Sequence, residues 1–423
     1  MNFSGGSVSI VGDKSISHRA VIFGALAEGI SKINNILISG DTEATIQIFQ
    51  NLGVNIKLLD QNTLEINGVG LNGLKQFDGE LNAINSGTTA RLLIGLLSKQ
   101  NFSSRLTGSN QLKKRPMDRI VDPLVEQGAK IVSKDKYLPV EFQPSNFNFD
   151  VVKTNKPSAQ VKSGLIIASL YNKENSSTII EDIPTRDHTE RLLGYMGVDL
   201  IRMGNQVTIS PNASLSPVNL TVPGDPSSAA FLIAVGLLSC EKIIINNLLL
   251  NERRIGFLKI IKKMGGNISI DNIQKINNEN VGDVIILKSN LNGVSINKDE
   301  VADMVDEFPI FTLLASQASG ETTVVGAEEL RVKESDRIAA MEKFILNLGG
   351  EIRTQKDGFK ISGKQSLQAG TVESNDDHRI AMTAIVANVC INSKIEVDNI
   401  DCISDSYPSF FEDLLKIGVH YGN

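Results

Sequence analysis

Gly12-Asp13-Lys14-Ser15-Ile16-Ser17-His18-Arg19 runs straight into Ala20-Val21-Ile22-Phe23-Gly24-Ala25-Leu26-Ala27. A polar loop of Gly, Ser and Asp gives way to an apolar run that reads as a buried helix. The junction recurs at Asn85-Ser86-Gly87-Thr88-Thr89, Pro157-Ser158-Ala159-Gln160, Gly224-Asp225-Pro226-Ser227-Ser228, Asp306-Glu307-Phe308-Pro309 and Asp376-Asp377-His378-Arg379. Counted from Lys14, Asn85, Pro157, Gly224, Asp306 and Asp376, the steps are 71, 72, 67, 82 and 70 residues. A period of that length makes each repeat a small α+β module and sets the architecture as six of them.

A second motif keeps step with the first. Ile48 to Gly53, Val121 to Gly128, Glu190 to Gly197, Phe257 to Gly265, Met341 to Gly349 and Phe410 to Gly418 each read as a helix closed by glycine. A strand follows, as in Val54-Asn55-Ile56-Lys57-Leu58, which has the alternation of a half-buried strand. One such punctuation is common in any α/β protein; six in register with another motif indicate duplication. Three repeats precede Val222-Pro223-Gly224-Asp225-Pro226 and three follow it. The expected domains are therefore 13–223, and 1–12 with 224–423, with a hinge near 12–13 and 223–224. The strand at about Ser7 to Val11 is expected to join the second half and complete its last unit. Ile268 to Asn280 reads as a strand followed by a surface turn.

Composition narrows the function. A chain of 423 residues is too long for one core. A net charge of −6 argues against a general nucleic-acid surface, and 5% aromatic residues with no Trp leave little for base stacking. No stretch is apolar enough to span a membrane, and the start, Met1-Asn2-Phe3-Ser4-Gly5-Gly6, has no secretory signal pattern. Cys240, Cys390 and Cys402 sit in or beside apolar runs and read as reduced core thiols, which places the chain in the cytoplasm. The four histidines make no cluster with metal spacing, and GxGxxG and GxxxxGK[ST] are both missing. Neither a metal nor a nucleotide cofactor is expected.

The loops carry the chemistry. A helix N-terminus offers unpaired N–H groups and a positive dipole end to an anion. Lys14, Ser15 and Arg19 stand at the first such end, and Asn85 to Arg91 repeat the arrangement with Gly87 admitting close approach of backbone. Lys113-Lys114-Arg115-Pro116 is a basic loop whose Pro116 fits a first helical turn. Ser158 and Thr185 offer hydroxyls at loop tips, although both residue types are also common N-caps. Arg331-Val332-Lys333-Glu334-Ser335-Asp336-Arg337 is the densest charge cluster, and Asp306-Glu307 and Asp376 to Arg379 open apolar helices with charge. Lys14, Arg19, Arg115, Arg337 and Arg379 converging on one pocket between the two domains would suit polyanionic ligands, with Asp306 and Glu334 as acid and base. The loops hold no Ser-His-Asp set and no Cys nucleophile, which favours direct transfer.

Gly12 to Ala20, Asn85 to Arg91, Arg115-Pro116-Met117, Leu330 to Arg337 and Asp377-His378-Arg379 together resemble the signature stretches of the 5-enolpyruvylshikimate-3-phosphate (EPSP) synthase family, in order and over nearly the whole chain. The resemblance implies two domains of three βαβαββ units each. It also implies transfer of the enolpyruvyl group of phosphoenolpyruvate to the 5-hydroxyl of shikimate 3-phosphate. By the family's pattern, Lys14, Ser15, Arg19, Ser158, Ala159, Gln160, Thr185, Asp306 and Lys333 would hold shikimate 3-phosphate. Lys14, Asn85, Gly87, Arg115, Gln160, Arg337 and Arg379 would hold phosphoenolpyruvate, where the herbicide glyphosate competes. Asp306 would take the hydroxyl proton, Glu334 would serve the methylene carbon, and Lys14 would touch both substrates. No cofactor, nucleic acid or membrane partner is implied, and the chain is expected to act as a monomer. The chain departs from the family at Ala159, where many members have Ser, at His188, where some have Tyr, and at Ser404-Asp405, near which some carry Lys. The nearest rival, UDP-N-acetylglucosamine enolpyruvyltransferase, typically has Lys-Asn in place of Lys14-Ser15. It also carries a reactive Cys in the loop corresponding to Ser109 to Lys114, where this chain has none. An RNA 3′-phosphate cyclase-like enzyme and a noncatalytic phosphometabolite-binding protein are weaker alternatives.

Overall fold

Each of the six loops opens a helix in the computed structural model, which describes residues 3–154, 156–391 and 393–420. The helices are Lys14–Leu26, Gly87–Leu97, Ala159–Ser169, Pro226–Ser239, Phe308–Gln317 and His378–Ile391. Four start on side-chain caps of the backbone: Asp13 accepts from Ile16 N at 2.8 Å, Ser86 from Thr89 N at 3.1 Å, Ser158 from Val161 N at 3.3 Å and Asp225 from Ser227 N at 2.7 Å. Each such cap contributes about 1 kcal/mol. From Ile16 to Leu26 every residue of the first helix is buried, so it lies inside its module and not on its surface.

The second motif also takes its expected shape. Gly53, Gly128, Gly197, Gly265, Gly349 and Gly418 all follow helix ends with φ between +75° and +103°. That is the left-handed conformation a glycine closes a helix with at least cost.

Among the described residues, five four-stranded sheets share one order: a parallel edge strand, then a strand, its antiparallel partner, and a second edge. In four modules the strand that precedes the loop helix pairs with the strand that follows it: Glu80–Asn82 with Ser104–Thr107, Val151–Lys153 with Ser177–Ile180, Ser295–Ile296 with Gly320–Val324, and Gly370–Val372 with Ile395–Val397. This is the ordinary strand–helix–strand connection between parallel neighbours. In two modules the edge strands are exchanged. Phe3–Ser9 precedes the first loop helix, yet it pairs with Cys240–Leu249; Asn219–Thr221 precedes the fourth, yet it pairs with Glu28–Asn34. The N-terminal strand thus joins the second half as expected but completes its first unit, not its last. Among the described residues the last unit has only the two-stranded sheet Gly370–Val372 with Ile395–Val397.

The chain divides into two units. An early unit comprises Gly12–Val222 with Ile276–Glu279; a late unit comprises the described residues up to Val11, Pro223–Lys275 and those from Asn280 onward. The strand Asn267–Ile276 ends in a tip that groups with the early unit. It is not a plain surface turn: Glu279 is buried and accepts from His188 Nδ1 at 2.7 Å. Two further local expectations change. Pro116 precedes Met117, the N-cap of Asp118–Glu126, and so stands outside the first helical turn. Leu58 is 57% exposed despite the alternation around it, because Asn55–Asp60 is an outer strand whose register shifts between Leu58 and Asp60.

Candidate active site

In the early unit, the loop residues are held by a polar network under the helix ends. Lys14 Nζ bonds Asp41 at 3.0 Å, with both side chains 18% exposed. Arg19 is buried and bonds three uncharged oxygens: Nε to Thr189 Oγ1 at 2.7 Å, Nη2 to Ser163 Oγ at 2.7 Å and Nη1 to the Ser15 carbonyl at 2.8 Å. It therefore braces the backbone of the loop that presents Lys14 and Ser15. His18 Nδ1 meets Thr45 Oγ1 at 2.8 Å, and Thr45 meets Thr89 at 2.7 Å. Burial pushes the His18 imidazole down to about 3, so it is neutral at physiological pH.

Gln160 is fixed at both ends of its amide, accepting from Arg91 Nη1 at 2.8 Å and donating to Thr88 Oγ1 at 2.9 Å. Gly87 sits under two guanidinium groups, since a Cβ there would come within 2.9 Å of both Arg115 Nη1 and Arg91 Nη1. Asn85 bonds Ser109 across the neighbouring loop. Ser158 spends its hydroxyl on the helix cap, and the Ala159 carbonyl accepts from Ser163 Oγ at 2.6 Å. Thr185 donates its hydroxyl and its backbone N–H to Glu181. Glu181 in turn pairs at 2.8 Å with Lys162, whose ammonium also pairs at 2.8 Å with Glu190. All three charged groups are buried. Desolvation alone would lower Lys162, but the two carboxylates outweigh it and hold the ammonium above its ordinary value.

In the late unit, Asp306, Lys333, Glu334, Arg337 and Arg379 gather around the ends of the last two loop helices and Arg337–Asn347. Arg337 is the largest fully buried side chain there. Its Nη2 lies 2.6 Å from Glu334, its Nη1 3.4 Å from Asp306, and its Nε 2.9 Å from Asp377. Burial works against the charge, yet the three carboxylates raise its proton affinity well above the ordinary arginine range. Asp377 is fully buried; desolvation raises its carboxyl, but Arg337 more than compensates and holds it below the usual range. Lys333, half-buried one residue before Glu334, is lowered by desolvation despite nearby Asp306. Asp306 is therefore no helix cap, and Glu307 at the N-cap position makes no side-chain cap bond; it bonds Ser227 instead. Arg379 is buried in the first turn of His378–Ile391, and its backbone N–H donates to Asp377 at 3.0 Å.

Several members of these networks were beyond sequence reasoning: Asp41, Lys162, Glu181, Glu190 and the specific role of Asp377. Asp41 lies 27 residues from Lys14, and Asp377 lies 40 from Arg337, so no local pattern links them. One buried cluster also arises that spacing did not suggest. Asp187, His188 and Glu279 bring ligand-capable atoms within 4.8 Å of one another. Both carboxylates are engaged by cations: Arg191 Nε stands 2.9 Å from Asp187 and 3.5 Å from Glu279, and Arg202 also bonds Asp187. Ion pairs thus tie the trio to two arginines. The thiols of Cys240 and Cys402 are buried and all three cysteines are free, with burial raising Cys240 to about 11 and Cys390 and Cys402 to about 12.

Residues 4–414 match the family described as EPSP synthase (3-phosphoshikimate 1-carboxyvinyltransferase). A protein named 3-phosphoshikimate 1-carboxyvinyltransferase from Oceanobacillus iheyensis is 41% identical over 415 residues, covering 97% of this chain and 96% of its own. One of the same name from Persephonella marina is 42% identical over 419 residues, covering 97% and 96%. Among solved structures, an EPSP synthase from Acinetobacter baumannii matches with a TM-score of 0.88 and 35% identity, over 98% of this chain and 96% of that one. The enolpyruvyl transferase NikO from Streptomyces tendae has a TM-score of 0.80 at 18% identity, over 99% and 96%, and so shares the fold. No helix among the described residues is long and apolar enough to cross a membrane.

Proposed function

This chain belongs to the EPSP synthase family, and from that premise we propose how its residues divide the work of the family's reaction. The enzyme transfers the enolpyruvyl (1-carboxyvinyl) group of phosphoenolpyruvate to shikimate 3-phosphate in aromatic biosynthesis. In the proposed mechanism the 5-hydroxyl oxygen attacks C2 of phosphoenolpyruvate while Asp306 takes the hydroxyl proton. Glu334 delivers a proton to C3, giving a tetrahedral adduct that still carries phosphate. Return of a C3 proton to Glu334 then expels inorganic phosphate and restores the double bond. Lys14 bridges the two substrates. Ser15, Arg19, Ser158, Ala159, Gln160, Thr185 and Lys333 hold shikimate 3-phosphate, while Asn85, Gly87, Arg115, Gln160, Arg337 and Arg379 hold phosphoenolpyruvate. Arginine suits that second site because its planar fork matches a carboxylate or phosphate bidentately.

The observation that carries the assignment of acid and base is the pair Asp306 and Glu334 on one buried guanidinium, at 3.4 Å and 2.6 Å. The two carboxylates meet the guanidinium at different nitrogens, which sets a candidate base and a candidate acid at one point of the site. The chain passes from one unit to the other after Val11 and again after Val222, and these crossings are the proposed hinge. The enzyme is proposed to work as a cytoplasmic monomer without a metal.

A coupled phosphate assay tests the reading. Shikimate 3-phosphate with phosphoenolpyruvate should release phosphate and UDP-N-acetylglucosamine should not; activity with the sugar nucleotide alone would reverse the choice. Glu334→Gln should bind shikimate 3-phosphate almost normally while turnover falls at least ~100-fold, the scale of a lost general acid or base. Unchanged turnover would remove Glu334 from the mechanism.

A further inference from the structure

The three carboxylates on Arg337 are not equivalent. Asp377 lies along the Nε edge, at 2.9 Å from Nε and 3.4 Å from Nη2, and its side chain is 0% exposed. It also accepts from Ser335 Oγ at 3.0 Å and from the Arg379 N–H at 3.0 Å, inside the first turn of the last loop helix. Four donors and the positive end of a helix hold it in place. Glu334 makes its contact with Nη2 at 2.6 Å, and its side chain is 32% exposed on the irregular segment between Glu328–Val332 and Arg337–Asn347. Asp306 makes a long contact of 3.4 Å with Nη1 and is 20% exposed.

Three carboxylates meet on this guanidinium and repel one another, and Lys333 also acts on Asp306 and Glu334. Arg337 itself is 1% exposed, so an arriving anion can reach its Nη groups only by replacing Glu334 or Asp306, whose side chains are partly exposed. The buried edge cannot exchange, because expelling Asp377 would leave both an uncompensated buried arginine and a set of orphaned donors.

We propose that Arg337 is a counter-ion exchange site: Asp377 is its permanent partner and positioning residue, and Glu334 is the displaceable partner that the carboxylate of phosphoenolpyruvate replaces on binding. The inference rests on the reading of Arg337 as a phosphoenolpyruvate ligand and adds an order of events to it. Docking of the substrate would itself free Glu334 from its ion pair and set a second negative charge beside it. Both changes favour the protonated carboxyl that an acid needs.

The test is direct binding of phosphoenolpyruvate alone, without the acceptor, so that no turnover occurs. Wild type, Glu334→Gln and Asp377→Asn would be titrated by calorimetry, with thermal unfolding run on each to confirm folding. Removal of an internal competitor should tighten binding to Glu334→Gln by about two- to fivefold, the scale of a partly exposed ion pair. Loss of the fixed counter-ion should weaken binding to Asp377→Asn by at least about tenfold, while affinity for shikimate 3-phosphate stays near wild type. A purely structural or directly ligating Glu334 predicts weaker binding in its variant, so equal or weaker binding there overturns the proposal. So does unchanged binding in Asp377→Asn, or the absence of any binding to wild type at millimolar phosphoenolpyruvate. Phosphate release from the two substrates together, assayed on the same wild-type preparation, shows whether the parent reading failed with it.

Discussion

Gly87 shows how narrowly a single position can be specified. Its missing Cβ is the space into which the Arg115 and Arg91 guanidinium groups reach, each at 2.9 Å from where that carbon would stand. Both are the far ends of flexible side chains, so Gly87→Ala should fold normally and displace them slightly. The expected outcome is a rise of about tenfold in KM for phosphoenolpyruvate, with KM for shikimate 3-phosphate little changed, since misplacing a binding group by a fraction of an ångström has that order of effect. Equal effects on both constants would show that Arg115 does not serve the phosphoenolpyruvate side. His18 makes a second residue-scale case. Its folded value of about 3 lies below the ordinary 6.5, so the unfolded chain takes up a proton that the folded one refuses. The stability due to neutral His18 is complete above about pH 6.5 and is lost progressively as pH falls from there toward 3. Denaturation midpoints measured between pH 7 and 4 should therefore decline less steeply in His18→Gln than in wild type. A parallel decline would locate the acid sensitivity elsewhere. At this scale the sequence pointed to Lys14, Arg115, Glu334 and Arg337, because charge at the start of an apolar helix is conspicuous. It could not single out Asp377 among its charged neighbours, since burial and a partner 40 residues away decide its role.

The helices and their ends were the most legible elements. Both repeated motifs are written in local physics: a capping side chain or charged loop at one end, a glycine at the other. The six closing glycines all take positive φ. The helix His188–Tyr195 allows a test of opposite signs three residues apart. Gly194 is exposed in its last turn, and a methyl group added there would meet nothing within 4 Å, so Gly194→Ala should stabilise by up to about 1 kcal/mol through helix propensity. Gly197 follows with φ +89° and its nearest neighbour at 3.6 Å, so space is not limiting there. Gly197→Ala should instead destabilise by about 1–2 kcal/mol, the cost of a left-handed L-residue. Urea midpoints of the two variants should move in opposite directions; a shared direction would mean that the helix does not end where its glycine is placed. Strands were less legible. Alternation in Asn55–Asp60 left Leu58 outside, because position at the edge of a sheet and a register shift are set by neighbours and not by the strand's own pattern.

At the scale of the whole molecule, the exchange of edge strands is the feature no local rule would give. A strand placed just before a loop helix should pair with the strand just after it, and four modules obey. Phe3–Ser9 and Asn219–Thr221 do not, because the chain leaves one unit for the other immediately after each of them, at Val11 and Val222. Removing residues 1–9 should therefore expose the edge of Cys240–Leu249 and leave Glu28–Asn34 paired. Hydrogen exchange should show lost protection in the late strand and native protection in the early one; the reverse would mean that the N-terminal strand follows the local rule after all. The amino-acid sequence by itself determined the number of modules, the polarity and ends of their helices, and the charged and polar loops that open them, because caps, glycines and apolar periodicity act over a few residues. Tertiary structure alone decided which edge strand completes which sheet, and which carboxylate neutralises which cation, as Asp41 does the half-buried Lys14 and Asp377 the buried Arg337. Those choices are made by burial and by charges brought together from distant parts of the chain, where removal from water makes a wrong pairing far more costly than it would be on an exposed surface.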